Sequence, residues 1–274
     1  MLNVDPGQAL FLLVTLLATG AIAGVISGLL GVGGGIVIVP VLFFVFLALD
    51  VSETVRMHVA VGTSLATIIF TGFMSARSHW KRGSVDTSLL RSWGPWIAFG
   101  VVAGTVIGGN VSGTVLTLVF AAIAALVAIN MAFKPADLAK PRPMPGTPLK
   151  QILSTTIGLI SVMMGIGGGT LAVPILSFFT YPIRLAVGTA AAIGLIIAIP
   201  GTIGYALFGL GVSGLPPFSL GYVNLAGLVA IIPTSMLTAP LGVKLAHAIP
   251  QLALRWCFAG FLAITSIRMI TSIF

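Results

Sequence analysis

Long apolar stretches dominate the chain, and charge interrupts them at only a few places. Four stretches contain no Asp, Glu, Lys or Arg, and each is longer than the roughly 20 residues that one helix needs to cross a bilayer. They are residues 6–49, 92–133, 151–183 and 185–243. Their apolar residues are continuous rather than alternating, which favours membrane helices over the strands of a barrel. The pattern therefore predicts an all-α, polytopic membrane protein.

Glycines, prolines and charged loops divide these stretches into ten predicted membrane segments. The first five are residues 8–31, 36–49, 56–76, 89–110 and 112–133, and the second five are residues 149–165, 170–180, 184–209, 219–242 and 250–273. Residues 134–148 contain five prolines and no apolar period, so they predict a polar, cytoplasmic linker. We therefore expect a first membrane repeat over 1–133, this linker, and a second membrane repeat over 149–274.

An internal repeat relates the two halves. When the sequence is shifted by 134 residues, Gly24–Leu42 overlies Gly158–Leu176 with ten identities in nineteen positions. A second match, Ala60-Val61-Gly62-Thr63 with Ala186-Val187-Gly188-Thr189, holds at an offset of 126. Duplication explains both matches, and repeats of this kind are common in transporters.

The number of segments and the positions of charge indicate how the repeats are inserted. Because each half has an odd number of segments, the second half enters the membrane from the opposite side, which makes the repeat inverted. Cytoplasmic loops are enriched in Lys and Arg. With ten segments, eleven of the thirteen Lys and Arg residues fall on one side, and only Arg56 and Arg268 do not. This predicts a multi-pass protein of the cytoplasmic membrane with both termini outside.

Composition narrows the function classes. Hydrophobic residues make up 58% of the chain and charged residues only 7%, so the net charge of +8 marks cytoplasmic loops rather than a nucleic-acid surface. Cys257 is the only cysteine, which excludes an internal disulfide and a cysteine-pair metal site. We expect the lipid bilayer as a partner, but no cofactor, no metal and no nucleic acid. Whether the protein forms a homo-oligomer is left open.

Two glycine-rich breaks interrupt the apolar segments at equivalent places of the repeat. Each break contains three consecutive glycines, which are Gly33, Gly34 and Gly35 in the first half and Gly167, Gly168 and Gly169 in the second. Glycine permits irregular backbone, and the short segments that follow predict half-helices after re-entrant turns. Inversion would bring the two turns together near the middle of the membrane. The N–H groups and the positive dipole end of such half-helices would bind an anion.

Other interpretations of the glycines were weighed. Glycines also permit close helix packing, but two symmetry-related breaks, each followed five residues later by Pro40 or Pro174, favour a binding site. A nucleotide loop requires Lys-Ser/Thr after the glycines, and this chain has none there. The Gly-x-Ser-Gly at 211–214 falls in a loop on the opposite side from His247, so we expect no protease and no other enzyme activity.

At these residues the chain resembles the sulfite exporter TauE/SafE family, whose hallmark is a duplicated glycine-rich, proline-terminated motif such as GLLGVGGGIVIVPVL. The likeness extends to the Ala-Val-Gly-Thr element of each half and to Thr238–Gly242. The resemblance implies transport of small anions, such as sulfite, sulfonates or sulfoacetate, across the cytoplasmic membrane.

Five further residues are candidates for the pathway. Thr63, Ser64 and Thr189 could donate hydroxyl hydrogen bonds to the anion, although such hydroxyls often bond only to the preceding helical turn. His58 and Arg184 are equivalent in the repeat, and either form gates at the two mouths or, more simply, are interfacial charges. No carboxylate lies inside a predicted segment, so proton coupling would have to use His58 or the substrate itself.

The sequence thus predicts a secondary transporter, in the direction of export, for a small anion bound between the two breaks. Two alternatives stay open, an anion channel and a membrane scaffold that transports nothing.

Overall fold

The structure is a computed structural model, and it describes residues 6–31, 33–133, 143–245 and 251–272. Within these residues it contains ten α-helices and one short β-hairpin. The first five helices are α1 (Pro6–Leu30), α2 (Gly35–Ala48), α3 (Glu53–Trp80), α4 (Thr87–Asn110) and α5 (Gly113–Phe133). The others are α6 (Leu149–Met164), α7 (Gly169–Phe178), α8 (Ile183–Phe208), α9 (Leu225–Leu245) and α10 (Gln251–Thr271). The predicted all-α, polytopic fold is confirmed.

The short helices α2 and α7 follow the two glycine breaks. They contain 14 and 10 residues, whereas α3 and α8 contain 28 and 26. Proline lies inside both short helices, at Pro40 and Pro174, where it removes one backbone hydrogen bond. The predicted short segments are therefore present, with starts within one residue of those expected.

One predicted helix start is wrong. The ninth segment was expected from residue 219, but residues 219–224 form an antiparallel hairpin in which strand β1 (Ser219–Leu220) pairs with β2 (Val223–Asn224). Gly221, with a φ of 55°, lies in the turn, and the Asn224 side chain accepts a hydrogen bond from the N–H of Gly227. Asn224 thereby caps α9, so the helix begins at Leu225.

Helices of the two halves are interleaved in pairs. The largest interfaces are α1 with α9 and α4 with α6, followed by α3 with α8 and α5 with α10. Glycines permit close approach, since a Cβ atom added to Gly28 would lie 2.1 Å from a carbonyl oxygen of α9, and one on Gly100 would lie 2.0 Å from a carbonyl oxygen of α6. The interface of α1 with α9 thus has a counterpart with the halves exchanged, which is the interface of α6 with α4.

The outer surface is apolar, as a bilayer requires. Large hydrophobic side chains on α1, α4, α5 and α8 are exposed, among them Phe11, Phe99, Leu126 and Leu207. Five helices of the described residues are long and apolar enough to span a membrane. Most of the predicted linker, residues 134–142, lies outside the described residues.

Candidate functional site

The two glycine breaks contact each other in the interior. A Cβ atom added to Gly33 would lie 3.5 Å from Cα of Gly167, and one added to Gly35 would lie 2.4 Å from the carbonyl oxygen of Gly165. The structure therefore brings together two segments that are more than 130 residues apart in sequence. Backbone contact this close requires glycine, because any side chain at Gly35 would overlap the opposite break.

Each break packs on the central helix of the opposite half. Gly31 has a φ of 66°, and a Cβ atom there would lie 2.2 Å from the carbonyl oxygen of Val187 in α8. Gly165 has a φ of 68°, and a Cβ atom there would lie 2.9 Å from Cα of Val61 in α3. Val61 and Val187 are the equivalent residues of the two Ala-Val-Gly-Thr elements. These elements are thus the surfaces on which the breaks pack.

Side-chain hydrogen bonds to the breaks come from α3. The Ser64 hydroxyl donates to the carbonyl oxygen of Gly165 (2.7 Å), and the Thr71 hydroxyl donates to that of Gly33 (2.9 Å). The repeat places Ala190 and Ile197 of α8 at the equivalent positions, and neither has a donor. One helix therefore orients the backbone of both breaks.

Backbone N–H groups cluster at the breaks because both short helices begin there. The N-caps of α2 and α7 are Gly34 and Gly168, and neither helix start has a side-chain cap hydrogen bond. The first N–H groups of a helix point along its axis, and the helix dipole adds positive potential there. These groups have no partner within their own helix, so in a membrane interior they need an acceptor from protein, water or a ligand.

Three hydroxyls that were not expected from the sequence lie next to the breaks. Ser27 and Ser161 lie one turn before Gly31 and Gly165, and Thr170 directly follows the third glycine of the second break. The side chains of both serines are fully buried and that of Thr170 is 4% exposed, yet none of the three hydroxyls has a partner in the described part of the chain. Ser27 and Ser161 are identical in the repeat, which is the signal that could have found them.

The other predicted ligands have different surroundings. The hydroxyl oxygens of Thr63 and Thr189 accept hydrogen bonds from the N–H groups of Asn224 and Asp86, at 2.8 and 2.9 Å. A Cβ atom on Gly34 would meet the carbonyl oxygen of Ala23 at 2.7 Å, so this glycine faces α1. Gly168 faces the side chain of Ile193, and Gly169 is the first residue of α7. Direct contact of the two threonines with an anion stays a prediction.

The predicted mouth residues differ from each other. His58 is only 3% exposed, its Nε2 lies 3.1 Å from the carbonyl oxygen of Val111, and its ring stacks on Tyr222 with centroids 4.7 Å apart. Its equivalent, Arg184, is exposed at the start of α8. His58 is therefore a packed interior side chain rather than an interfacial charge.

None of the described residues that contact the breaks is charged. The charged residues of α3 lie near its ends, at Glu53, Arg56 and Arg77. Among the described residues, no group of three or more His, Cys, Asp or Glu side chains could hold a metal ion. The arrangement offers neutral hydrogen-bond donors from two helix N-termini and three hydroxyls, which suits an anion rather than a cation.

Comparisons with known proteins bear on the family of the chain. Residues 16–269 match the family described as Sulfite exporter TauE/SafE. A probable membrane transporter protein of Haemophilus influenzae is 34% identical, over 94% of this chain and 98% of that protein. The probable membrane transporter protein YunE of Bacillus subtilis is 28% identical, over 84% of this chain and 86% of that protein. A probable membrane transporter protein of Methanocaldococcus jannaschii is 27% identical, over 96% of this chain and 97% of that protein.

No solved structure matches the chain. The family match covers nearly the whole sequence, and the relative from Haemophilus influenzae, described as a probable membrane transporter protein, is matched over 98% of its length. The chain is therefore a membrane transporter rather than an enzyme, and it belongs to the sulfite exporter TauE/SafE family.

Proposed function

We propose that the protein is a secondary transporter that exports a small anion, such as sulfite, a sulfonate or sulfoacetate, across the cytoplasmic membrane. The observation that carries the proposal is the contact between the two glycine breaks, at which α2 and α7 both begin without a side-chain cap. Two helix N-termini that meet in an apolar interior create positive potential, and none of the described residues that contact the breaks is charged. A small oxyanion is the ligand that such a site would bind.

The proposed binding groups are of two kinds. Backbone donors come from Gly33, Gly34 and Gly35 on one side and from Gly167, Gly168 and Gly169 on the other. Hydroxyl donors come from Ser27, Ser161 and Thr170, whose protons have no acceptor among the described residues. Thr63 and Thr189 accept one hydrogen bond each and keep a proton to donate, whereas the Ser64 proton is already used by Gly165.

Inverted insertion of the two repeats is part of the proposal. It is supported by the directions of the equivalent helices α3 and α8. The loop that follows the end of α3 reaches Thr189 near the start of α8, and Tyr222, in the connection after α8, stacks on His58 near the start of α3. Equivalent helices that run antiparallel are expected when one repeat is inserted upside down. Together with the charge pattern, it supports the proposal that both termini lie outside.

The breaks as described are too close for an anion to lie between them. Because a single carbon on Gly35 would overlap Gly165, the two half-helices have to separate before an oxyanion enters. We propose that loading and release use such a separation, with His58 and Arg184 near the two mouths.

Gly194→Ala tests the site without a steric clash. Gly194 lies in α8, and a Cβ atom there would lie 3.8 Å from N of Gly168 and from Cα of Gly167, which is ordinary contact distance. The methyl group would occupy the space that an anion oxygen needs near the Gly168 N–H. We expect at least a tenfold loss of apparent affinity, which corresponds to ~1.4 kcal/mol, without loss of thermal stability.

The measurement is counter-transport of radiolabelled sulfite and sulfoacetate in proteoliposomes. Gly72→Ala is the matched control, because its Cβ atom would lie 3.5 Å from the Ile68 and Leu195 side chains, also an ordinary contact. The proposal is overturned if the wild-type protein moves neither anion, or if Gly194→Ala transports like the control. Flux without stimulation by anion on the opposite side would indicate a channel instead.

A further inference from the structure

Two loops occupy equivalent places in the repeat and fold inward onto the Ala-Val-Gly-Thr elements. The Asp86 loop, residues 81–86, connects α3 to α4, and the Asn224 loop, residues 209–224, connects α8 to α9. Each ends on a residue that caps the following helix. Asp86 Oδ1 accepts from the N–H groups of Ser88 and Leu89, as Asn224 Oδ1 accepts from Gly227.

The Asp86 loop is bound to α8. The Asp86 N–H donates to Thr189 Oγ1 at 2.9 Å, and a Cβ atom added to Gly188 would lie 2.0 Å from the carbonyl oxygen of Ser84. The Tyr181 hydroxyl donates to Asp86 Oδ2, and this bond lowers the pKa of Asp86 below its ordinary value. The loop of the first half is thus fixed to the second half.

The Asn224 loop is bound to α3 in the same way. The Asn224 N–H donates to Thr63 Oγ1 at 2.8 Å, and a Cβ atom added to Gly62 would lie 2.3 Å from the carbonyl oxygen of Tyr222. The Tyr222 ring also stacks on His58. In both loops the capping residue binds the threonine and the residue two positions earlier contacts the glycine. Because the two loops differ in length, this match follows from the shared fold of the two repeats.

The same two elements contact the breaks. Val61 packs on Gly165 and Val187 packs on Gly31, and in each case the next two residues bind a loop. A break and a loop therefore lie on consecutive residues of one helix, and the loops lie toward opposite ends of the antiparallel pair α3 and α8. Any path from a membrane face to the breaks that follows these helices meets one loop from each side.

We propose that the Asp86 loop and the Asn224 loop are the two gates of the transport pathway, and that a threonine hydroxyl of the opposite half helps to hold each of them closed. The inference rests on the proposed function, because it assigns the gates of that same site. Both gates are closed in the structure, which accords with breaks that are too close to admit an anion. Release of the Asp86 loop, including its bond to Thr189, opens one face, and release of the Asn224 loop, including its bond to Thr63, opens the other.

Thiol labelling tests the gates without any need for transport. In a Cys257→Ser background, Thr170→Cys places a single reporter thiol at the second break, where the native side chain is 4% exposed. The probe is an anionic, membrane-impermeant methanethiosulfonate, applied to right-side-out and to inside-out vesicles. Thr189→Val or Thr63→Val removes the acceptor of one gate and keeps the side-chain shape.

We expect each valine variant to raise the labelling rate about tenfold, which is the effect of losing one hydrogen bond. The increase should occur from one membrane face only, and the face should differ between the two variants. Thr67→Val is the control, since its hydroxyl bonds within α3 to the carbonyl oxygen of Thr63 and touches neither loop. Equal labelling in all variants, or an increase from the same face for both, would overturn the gates. Failure of sulfite transport alone would overturn the proposed function but not this result.

A crosslink provides a second measurement if a valine variant does not fold. A Cβ atom on Gly214, in the Asn224 loop, would lie 3.8 Å from Cβ of Ser52, the separation typical of a disulfide. Oxidation of Ser52→Cys with Gly214→Cys should abolish reporter labelling from that face, and a reductant should restore it. The single-cysteine variants should not respond to oxidation. Persistent labelling of the crosslinked protein would show that this loop is not a gate.

Discussion

Replacement of Thr170 by valine should change protein stability and anion binding in opposite directions. The Thr170 hydroxyl is buried at the first turn of α7 and has no partner among the described residues. A buried polar group without a partner costs about 1–3 kcal/mol, and valine has the same shape without the hydroxyl. The ligand-free Thr170→Val protein should therefore be more stable than the wild type, by an amount of this order.

Anion binding should weaken in the same variant. A hydrogen bond to a charged group contributes about 1.5–3 kcal/mol, so its loss should raise the dissociation constant by about ten- to a hundredfold. Few substitutions improve folding while they impair binding. This combination separates a ligand donor from a side chain that only fills space.

Thermal unfolding of detergent-purified protein, with and without sulfite or sulfoacetate, measures both effects. Thr71→Val is the control, because the Thr71 hydroxyl already donates to Gly33 at 2.9 Å and its loss should lower stability by about 1 kcal/mol. An anion-dependent shift in Thr170→Val equal to that of the wild type would refute the assignment of Thr170 as a ligand. A loss of stability without anion would show that the hydroxyl has a structural partner.

Three further predictions follow from the contacts. Gly62→Ala should lower the unfolding temperature, by overpacking worth about 1–3 kcal/mol against a carbonyl oxygen 2.3 Å away, while Gly72→Ala should not. Ser64→Ala should cost about 1–2 kcal/mol in chemical or thermal unfolding, since it leaves a buried carbonyl of the second break without its 2.7 Å donor. Tyr181→Phe should destabilise the protein at pH 7 but not at a pH well below 3.8, the ordinary pKa of Asp86. Because the Tyr181 bond lowers the pKa of Asp86 in the folded protein, its contribution to stability is present above the ordinary pKa and is lost as the pH falls through the lowered one. The unfolding temperatures of the wild type and the variant should therefore converge in acid.

Helix positions could be predicted well from the sequence because they depend on local composition. In hydrocarbon every backbone group needs an internal partner, so a long apolar run can only be helical. The ninth helix shows the limit of this argument. Residues 219–224 are as free of charge as the helix that follows, and only the capping geometry of Asn224 shows that the helix starts after it.

Residue roles at the site were harder to predict because they depend on contacts between distant parts of the chain. Thr63 and Thr189 were interpreted as anion ligands from their equivalence in the repeat. Their hydroxyl oxygens accept hydrogen bonds from the N–H groups of Asn224 and Asp86, which are 161 and 103 residues away. The two loops are equivalent in the fold, but their sequences do not match at the offset of 126 residues that relates the two threonines. The alignment therefore revealed the threonines but not what they bind.

The duplicated backbone carries side chains that are not duplicated, and this difference bears on how the two halves can move. α3 donates hydrogen bonds to both breaks, from Ser64 and Thr71, whereas among the described residues α8 touches the breaks through packing, as at Gly31 and Val187. Buried hydrogen bonds are directional and are lost over a fraction of an ångström, while apolar surfaces can slide past each other at lower cost. We therefore expect that movement of a break away from α3 costs more free energy than movement away from α8. The two half-cycles of a symmetric fold can in this way differ in rate, while the net direction of transport is set by the anion gradient or by a coupled ion.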